Sequence, residues 1–151
     1  LLLREPPAGD WIVETRLELD LGEEEVRNFQ QAGLIVYVDD DTFLRLGKVA
    51  IWNTRQAEFG KEVLQDGFLS WGGHTSGPVA DTMWLRIHHT TNREGEHRYR
   101  SAISTDGETW RWGATWTLPA GSDPSVGVYT GGGDTPETVA EFDYVRFYRA
   151  R

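Results

Sequence analysis

The chain has 151 residues, a mass of 17.1 kDa, a net charge of −9 and no cysteine. That length suits one domain that can bury a core without staples, and the absence of cysteine excludes a disulfide framework and any thiolate metal site. The acidic balance, with a pI near 4.8, opposes nucleic acid and anionic membrane surfaces over most of the molecule, and no apolar run approaches the roughly 18 residues of a bilayer span.

Seven tryptophans and 17 glycines, with little 3.6-residue periodicity, favour strands and turns. The opening Leu-Leu-Leu-Arg-Glu-Pro-Pro is too short for a signal peptide, and residues 1–151 read as a single module excised from a longer protein. Trp11 to Leu21 alternates Val13, Thr15, Leu17, Leu19 and Leu21 against Ile12, Glu14, Arg16, Glu18 and Asp20, which predicts a strand broken at Gly22 to Glu25. Ala32 to Leu46 predicts a hairpin with an acidic tip at Asp39, Asp40 and Asp41. In it Leu34, Val36, Val38, Leu44 and Leu46 face a core, while Ile35, Tyr37, Phe43 and Arg45 share the opposite face. A strand near Val49 to Asn53, a polar connection from Thr54 to Lys61, a short strand at Phe68 to Trp71 and a glycine-rich loop from Gly72 to Pro78 come next. Met83, Leu85 and Ile87 then alternate with Trp84, Arg86 and His88, and a further strand runs from about Arg98 to Ser104. Asp106-Gly107 marks a hairpin turn, because glycine takes positive φ at no steric cost. Trp110, Trp112 and Trp116 at even spacing, a strand at Val126 to Tyr129, a flexible tip at Gly131 to Asp134 and a closing strand from Ala140 to Tyr148 complete the chain. Strands at this spacing without intervening helices predict an all-β fold, a two-sheet antiparallel β-sandwich.

Both hairpins set large rings and guanidinium groups on what reads as one non-core sheet face: Tyr37, Phe43 and Arg45 with Trp84, Arg86 and His88. Two explanations stand side by side. Ring faces can stack on sugar C–H patches while arginine bonds hydroxyls, or the same side chains can pack against a neighbouring domain.

The segments A-G-L-I-V-Y-V-D-D-D-T-F-L-R-L, W-L-R-I-H, Y-R-S-A-I-S-T-D-G-E-T-W and E-F-D-Y-V-R-F-Y resemble the concanavalin A-like jelly rolls appended to bacterial glycoside hydrolases. The resemblance is greatest to the C-terminal β-sandwich of family 43 β-xylosidases and to related domain-of-unknown-function modules of secreted bacterial proteins. It implies a jelly roll whose concave sheet carries Trp84 and Arg86, with Tyr37, Phe43 and Arg45 beside them and Leu85 and Ile87 in the core. It further implies a secreted, extracellular setting and an accessory role, with a poly- or oligosaccharide or a catalytic domain of the same chain as partner. Many such sandwiches hold a structural calcium; none is required for that role.

Glu18, Asp20 and Glu23 have the E-x-D-x-x-E outline of the catalytic strand in concanavalin A-like glucanases, where two carboxylates about 5 Å apart would hydrolyse with retention. Gly22 weakens the strand where the third carboxylate must be held, so a solvated acidic edge is the expectation and the module reads as non-catalytic by itself. His88 and His89, being adjacent, face opposite sides of a strand and cannot share one metal. The aspartate triplet offers oxygen ligands to calcium but also suits a turn. Asp143, if it faces inward, needs a cation, an arginine or backbone N–H groups.

Overall fold

The computed structural model describes residues 1–23, 26–132 and 138–150, and none of them is helical. In chain order the strands are β1 (Leu2–Arg4), β2 (Trp11–Leu19), β3 (Arg27–Asp39), β4 (Thr42–Trp52), β5 (Thr54–Gln65), β6 (Phe68–Thr75), β7 (Thr82–Thr91), β8 (His97–Ser104), β9 (Arg111–Leu118), β10 (Ser125–Gly131) and β11 (Ala140–Arg149). They form a six-stranded sheet in the order β1-β10-β3-β4-β5-β6 and a five-stranded sheet in the order β11-β2-β7-β8-β9. Every pairing is antiparallel. This is the two-sheet antiparallel sandwich that the alternation predicts.

The period of two explains the core. Val13, Leu17 and Leu19 of β2 and Met83, Leu85 and Ile87 of β7 meet Leu34 and Val36 of β3 and Leu44 and Leu46 of β4 between the sheets. Burying each such side chain is worth about 1.5–3 kcal/mol, and together they decide which face of every strand turns inward. Lys48 also turns inward from β4. It is tolerated because its Nζ donates to the Leu19 carbonyl at 2.7 Å and to Asp81 Oδ1 at 2.8 Å.

Two expectations are corrected here. Thr54 to Lys61 is not a connection but most of β5, paired residue for residue with β4 from Ile51↔Thr54 to Thr42↔Val63. Ala57, Phe59 and Val63 supply its inward face, and the polar residues between them mask the alternation. Gly72 to Thr75 belongs to β6 rather than to a loop. The two strands join at Asp66-Gly67, whose φ values of 53 and 76 are both positive, as a two-residue hairpin turn requires. That Asp-Gly signal is as plain as the one at Asp106-Gly107. The tips at Glu24-Glu25 and Gly133-Asp134 lie outside the described residues.

Bulges decide what simple alternation leaves wrong. Between β8 and β9 the register shifts from Arg100↔Thr115 to Ala102↔Trp112, so β9 carries an extra residue. Trp112 therefore points outward, whereas Trp116, despite its even spacing, points inward and donates Nε1–H to the Phe59 carbonyl at 2.9 Å. In β11 the shift between Phe142 and Val145 sets Asp143 and Tyr144 opposite Arg16, and the Thr15 hydroxyl satisfies the Tyr144 carbonyl at 2.6 Å. In β3 the shift between Asn28 and Gln31 leaves Phe29 at φ 58, a strained setting for an aromatic residue.

Candidate functional site

The six residues singled out from the sequence do not share a face. Tyr37, Phe43 and Arg45 stand on the outside of the six-stranded sheet, and Trp84, Arg86 and His88 on the outside of the five-stranded sheet. Alternation assigned each residue correctly to the non-core side of its strand. It could not say that β3-β4 and β7 belong to different sheets, about 10 Å apart, so one ligand cannot touch both sets.

On the five-stranded face the polar groups already satisfy one another. Glu14, only 5% exposed, accepts from Arg86 Nε at 2.5 Å, from Tyr144 Oη at 2.6 Å and from Tyr148 Oη at 3.4 Å. Cations cover the rings: Arg86 lies 3.6 Å from the Trp110 centroid, Arg146 4.0 Å from Tyr144, Arg100 5.1 Å from Trp112 and Arg16 5.5 Å from Trp84. Arg16 also reaches Asp143 at 2.7 Å. Trp84 and Arg86 thus emerge on one side as expected, but each is engaged by its own neighbour. Burial, followed by the hydrogen bond to Glu14, pushes the Tyr144 pKa from 10.0 up to about 12. Because the folded value lies above the unfolded one, this contribution to stability is complete below about pH 10 and is lost as the pH rises toward about 12. Denaturant midpoints measured from pH 9 to 12 should fall across that window, and less so in Tyr144→Phe.

The six-stranded face is built differently. Its outward positions include Gly47 and Gly60, over which larger side chains lie flat: a Cβ on Gly47 would come within 2.8 Å of Tyr129 Oη, and one on Gly60 within 3.1 Å of Arg45 Nε. The result is a polar floor. Tyr129 Oη donates to Gln31 Oε1 at 3.2 Å, Arg45 pairs with Glu58 at 3.4 Å, and Gln56 Nε2 donates to Glu58 at 2.8 Å. Beside it opens a cleft of about 340 Å³ lined by Arg45, Glu58, Glu62, Ile51, Phe29 and Trp71. Trp71 is 74% exposed and Phe29 46%. The β3 bulge is what turns Phe29 into this cleft. Tyr37 and Phe43 continue the face, on the row that pairs onward through Glu62 to Trp71.

The remaining candidates fall into structural roles. At the acidic tip Asp39 Oδ1 accepts the Asp41 N–H at 2.9 Å and Asp40 accepts the Tyr37 hydroxyl at 2.6 Å; that second bond is the main cause of the raised Tyr37 pKa. Glu18 is on the outer face near the end of β2, whereas Asp20 lies past it and accepts the Gly22 N–H at 2.7 Å, so no rigid carboxylate pair forms. Asp143 points outward onto Arg16 rather than inward. His88 and His89 do face opposite sides: His88 is beside Trp112 and His89 is stacked on Trp11. Among the described residues no three His, Asp or Glu side chains are placed to hold a metal.

Structure comparison places this architecture. The chain matches a functionally unknown protein from Saccharomyces cerevisiae with TM-score 0.71 and 21% identity, over 99% of this chain and 74% of that one. It matches a family 43 glycoside hydrolase from Bacillus licheniformis with TM-score 0.68 and 14% identity, over 98% of this chain and 29% of the enzyme. A xylan β-1,4-xylosidase from Bacillus halodurans aligns with TM-score 0.67 and 20% identity, over 96% of this chain and 28% of the enzyme. The fold is that of a sandwich carried by family 43 glycoside hydrolases. The chain spans less than a third of either enzyme's length. No family model and no curated protein sequence matches it.

Of the groups that make the cleft in this sandwich, the sequence singled out Arg45 and its neighbours Tyr37 and Phe43. It missed Trp71, Phe29, Glu58 and Glu62. Trp71 and Glu62 had a readable signal, since Asp66-Gly67 pairs them across a hairpin. Phe29 had none, because its direction comes from a bulge.

Proposed function

We propose that the chain is a non-catalytic accessory module of an extracellular carbohydrate-active protein and binds an oligo- or polysaccharide in the cleft on the six-stranded sheet. The observation that carries this reading is the pair of exposed rings, Trp71 and Phe29, flanking a polar floor that ends in Arg45 and Glu58. Exposed rings offer faces for sugar C–H groups, and a fixed guanidinium and carboxylate offer a donor and an acceptor for hydroxyls. The five-stranded face offers less, because its rings Trp84, Trp110 and Trp112 lie under guanidinium groups, whereas Trp71 is 74% exposed. The fold shared with family 43 enzymes supports the accessory role, and the low net charge of the cleft favours neutral glycans.

A second reading rests on exposed apolar groups: Trp52, 61% exposed at the β4-β5 turn, adds to Trp71 and Phe29 as apolar surface that a catalytic domain of the same protein could cover.

Calorimetric titration with xylo-, arabino- and galacto-oligosaccharides separates these readings. Trp71→Ala is expected to cost about 1–3 kcal/mol of binding, and Trp84→Ala to leave it unchanged. Loss in Trp84→Ala but not in Trp71→Ala would move the site to the five-stranded face. Absence of binding to all three classes would leave the packing reading.

A further inference from the structure

At one end of the sandwich residues 5–9 carry the chain from β1 of the six-stranded sheet to β2 of the five-stranded one. β1 is short. Leu2, Leu3 and Arg4 pair with Val128, Gly127 and Val126, and Arg4 lies over the Phe147 ring at 5.2 Å. Leu2 stays 73% exposed, so little apolar burial ties the strand down. Pro6 and Pro7 have no N–H to donate. Among the described residues a single hydrogen bond holds residues 5–9 to the rest of the sandwich, from His89 Nδ1 to the Gly9 carbonyl at 3.2 Å.

That bond belongs to a chain of bonds. The Gly9 carbonyl can only accept, so His89 Nδ1 carries the proton and Nε2 of the neutral ring carries a lone pair. His97 Nδ1 lies 2.9 Å from that Nε2 and is therefore the donor. His89 is only 5% exposed and stacks on Trp11 at 4.8 Å and on His97 at 5.2 Å between centroids, whereas His97 is half-buried. The pair takes up protons in a fixed order. A first proton goes to His97 Nε2 and leaves the N–H···N bond intact. A second must go to His89 Nε2, where it sets two N–H groups against each other and two cations ring on ring. The bond does not survive that proton. A cavity of about 290 Å³ lined by both rings gives water a route to them.

The groups around His89 pull in both directions. Burial is the main cause that lowers its pKa from the usual 6.5; His97 and then His88 act the same way, the Gly9 bond and Asp10 act oppositely, and the net shift is downward. Of the other charged groups at this end, Glu5 and Asp123 favour the cation, as does the Trp11 ring face, and Arg149, paired with Trp11, opposes it. Tyr99 stays neutral, because burial raises its pKa. The sign of the linkage follows. The folded state prefers neutral His89, so this contribution to stability is complete above about pH 6.5 and declines as the pH falls below that value.

We propose that the His89–His97 pair is an acid-sensitive latch: the second proton drives the His89 ring out of its stack into water, frees the Gly9 carbonyl and releases residues 1–9, β1 included, from the sandwich. β10 then becomes the edge of the six-stranded sheet. The latch does not depend on glycan binding in the cleft.

The test is a magnetic resonance titration of the 151-residue chain from about pH 8 to about pH 5, above the range in which ordinary carboxylates titrate. His97 should titrate first, with β1 still protected from amide exchange. His89 should titrate second, and the protection of Leu2 to Arg4 should fall about tenfold or more across that step, the equivalent of one pKa unit, while that of Leu85 and Ile87 in the core holds. His89→Gln keeps a donor for the Gly9 carbonyl but takes no proton, so its β1 should stay protected throughout. In His97→Gln the amide can turn its oxygen toward a protonated His89, so release should be abolished there too. Three results overturn the proposal: Leu2 to Arg4 protected through the whole His89 titration, His89 protonated before His97, or either folded variant releasing β1 as the parent does. The titration of the parent decides by itself should neither variant fold.

Discussion

Replacing Glu14 by alanine should lower the unfolding free energy by about 3 kcal/mol, the low end for breaking a buried ion pair. Glu14 sits on the outward side of β2 yet is almost completely covered, because Arg86, Tyr144 and Tyr148 converge on its carboxylate. Its removal leaves a guanidinium and a phenol directed at a space that no longer accepts from them. The Arg86 side chain keeps 28% of its exposure, and this solvent access is why the low end applies. Glu14→Gln should cost less, since the amide oxygen can still accept from Tyr144. In Glu14→Leu/Arg86→Leu the destabilisation should shrink well below that of Glu14→Ala, because the charge left behind by the single change is gone. Urea denaturation of the four proteins decides the matter; equal stability of Glu14→Ala and the parent would show that the cluster contributes nothing.

Phe59→Ala should cost about 3–5 kcal/mol by opening a cavity in the core. The ring is fully buried at 0% exposure, 6.3 Å from that of Trp116, and the Phe59 carbonyl accepts the Trp116 indole N–H. The change therefore loosens the contact that joins β5 of one sheet to β9 of the other. Glu62→Ala, three residues on and facing outward, should change stability by under about 0.5 kcal/mol. The contrast tests the placement of Thr54 to Gln65 as a core strand. Near-equal effects of the two substitutions, measured by thermal and urea unfolding, would return that segment to the surface.

Much of the fold can be read along the chain. Val13 to Leu19, Leu34 to Val38, Leu44 to Leu46 and Met83 to Ile87 alternate cleanly, and apolar burial leaves a half-buried strand only one way to face. β5 and the second half of β6, Gly72 to Thr75, escape notice because their inward positions include a lysine, an alanine and a glycine. Their outward ones are mostly polar or glycine, so the contrast between faces is weak. The bulged segments fail for another reason. One inserted residue reverses the side on which Trp112 and Trp116 emerge, and it turns Phe29 into the cleft. Composition does not mark it.

The sequence by itself determined the all-β class, the inward face of most strands and the outward placement of Tyr37, Phe43, Arg45, Trp84, Arg86 and His88. Only the tertiary structure decided that these six divide between two opposite faces, that Trp84 and Arg86 are engaged by Arg16 and Trp110, and that Trp71 and Phe29 join Arg45 and Glu58 in one cleft. The physical reason is range. Alternation is a property of neighbours along one strand, governed by burial, whereas sheet membership and strand order follow from pairings between segments far apart in the chain. No local pattern encodes which of those partners is chosen.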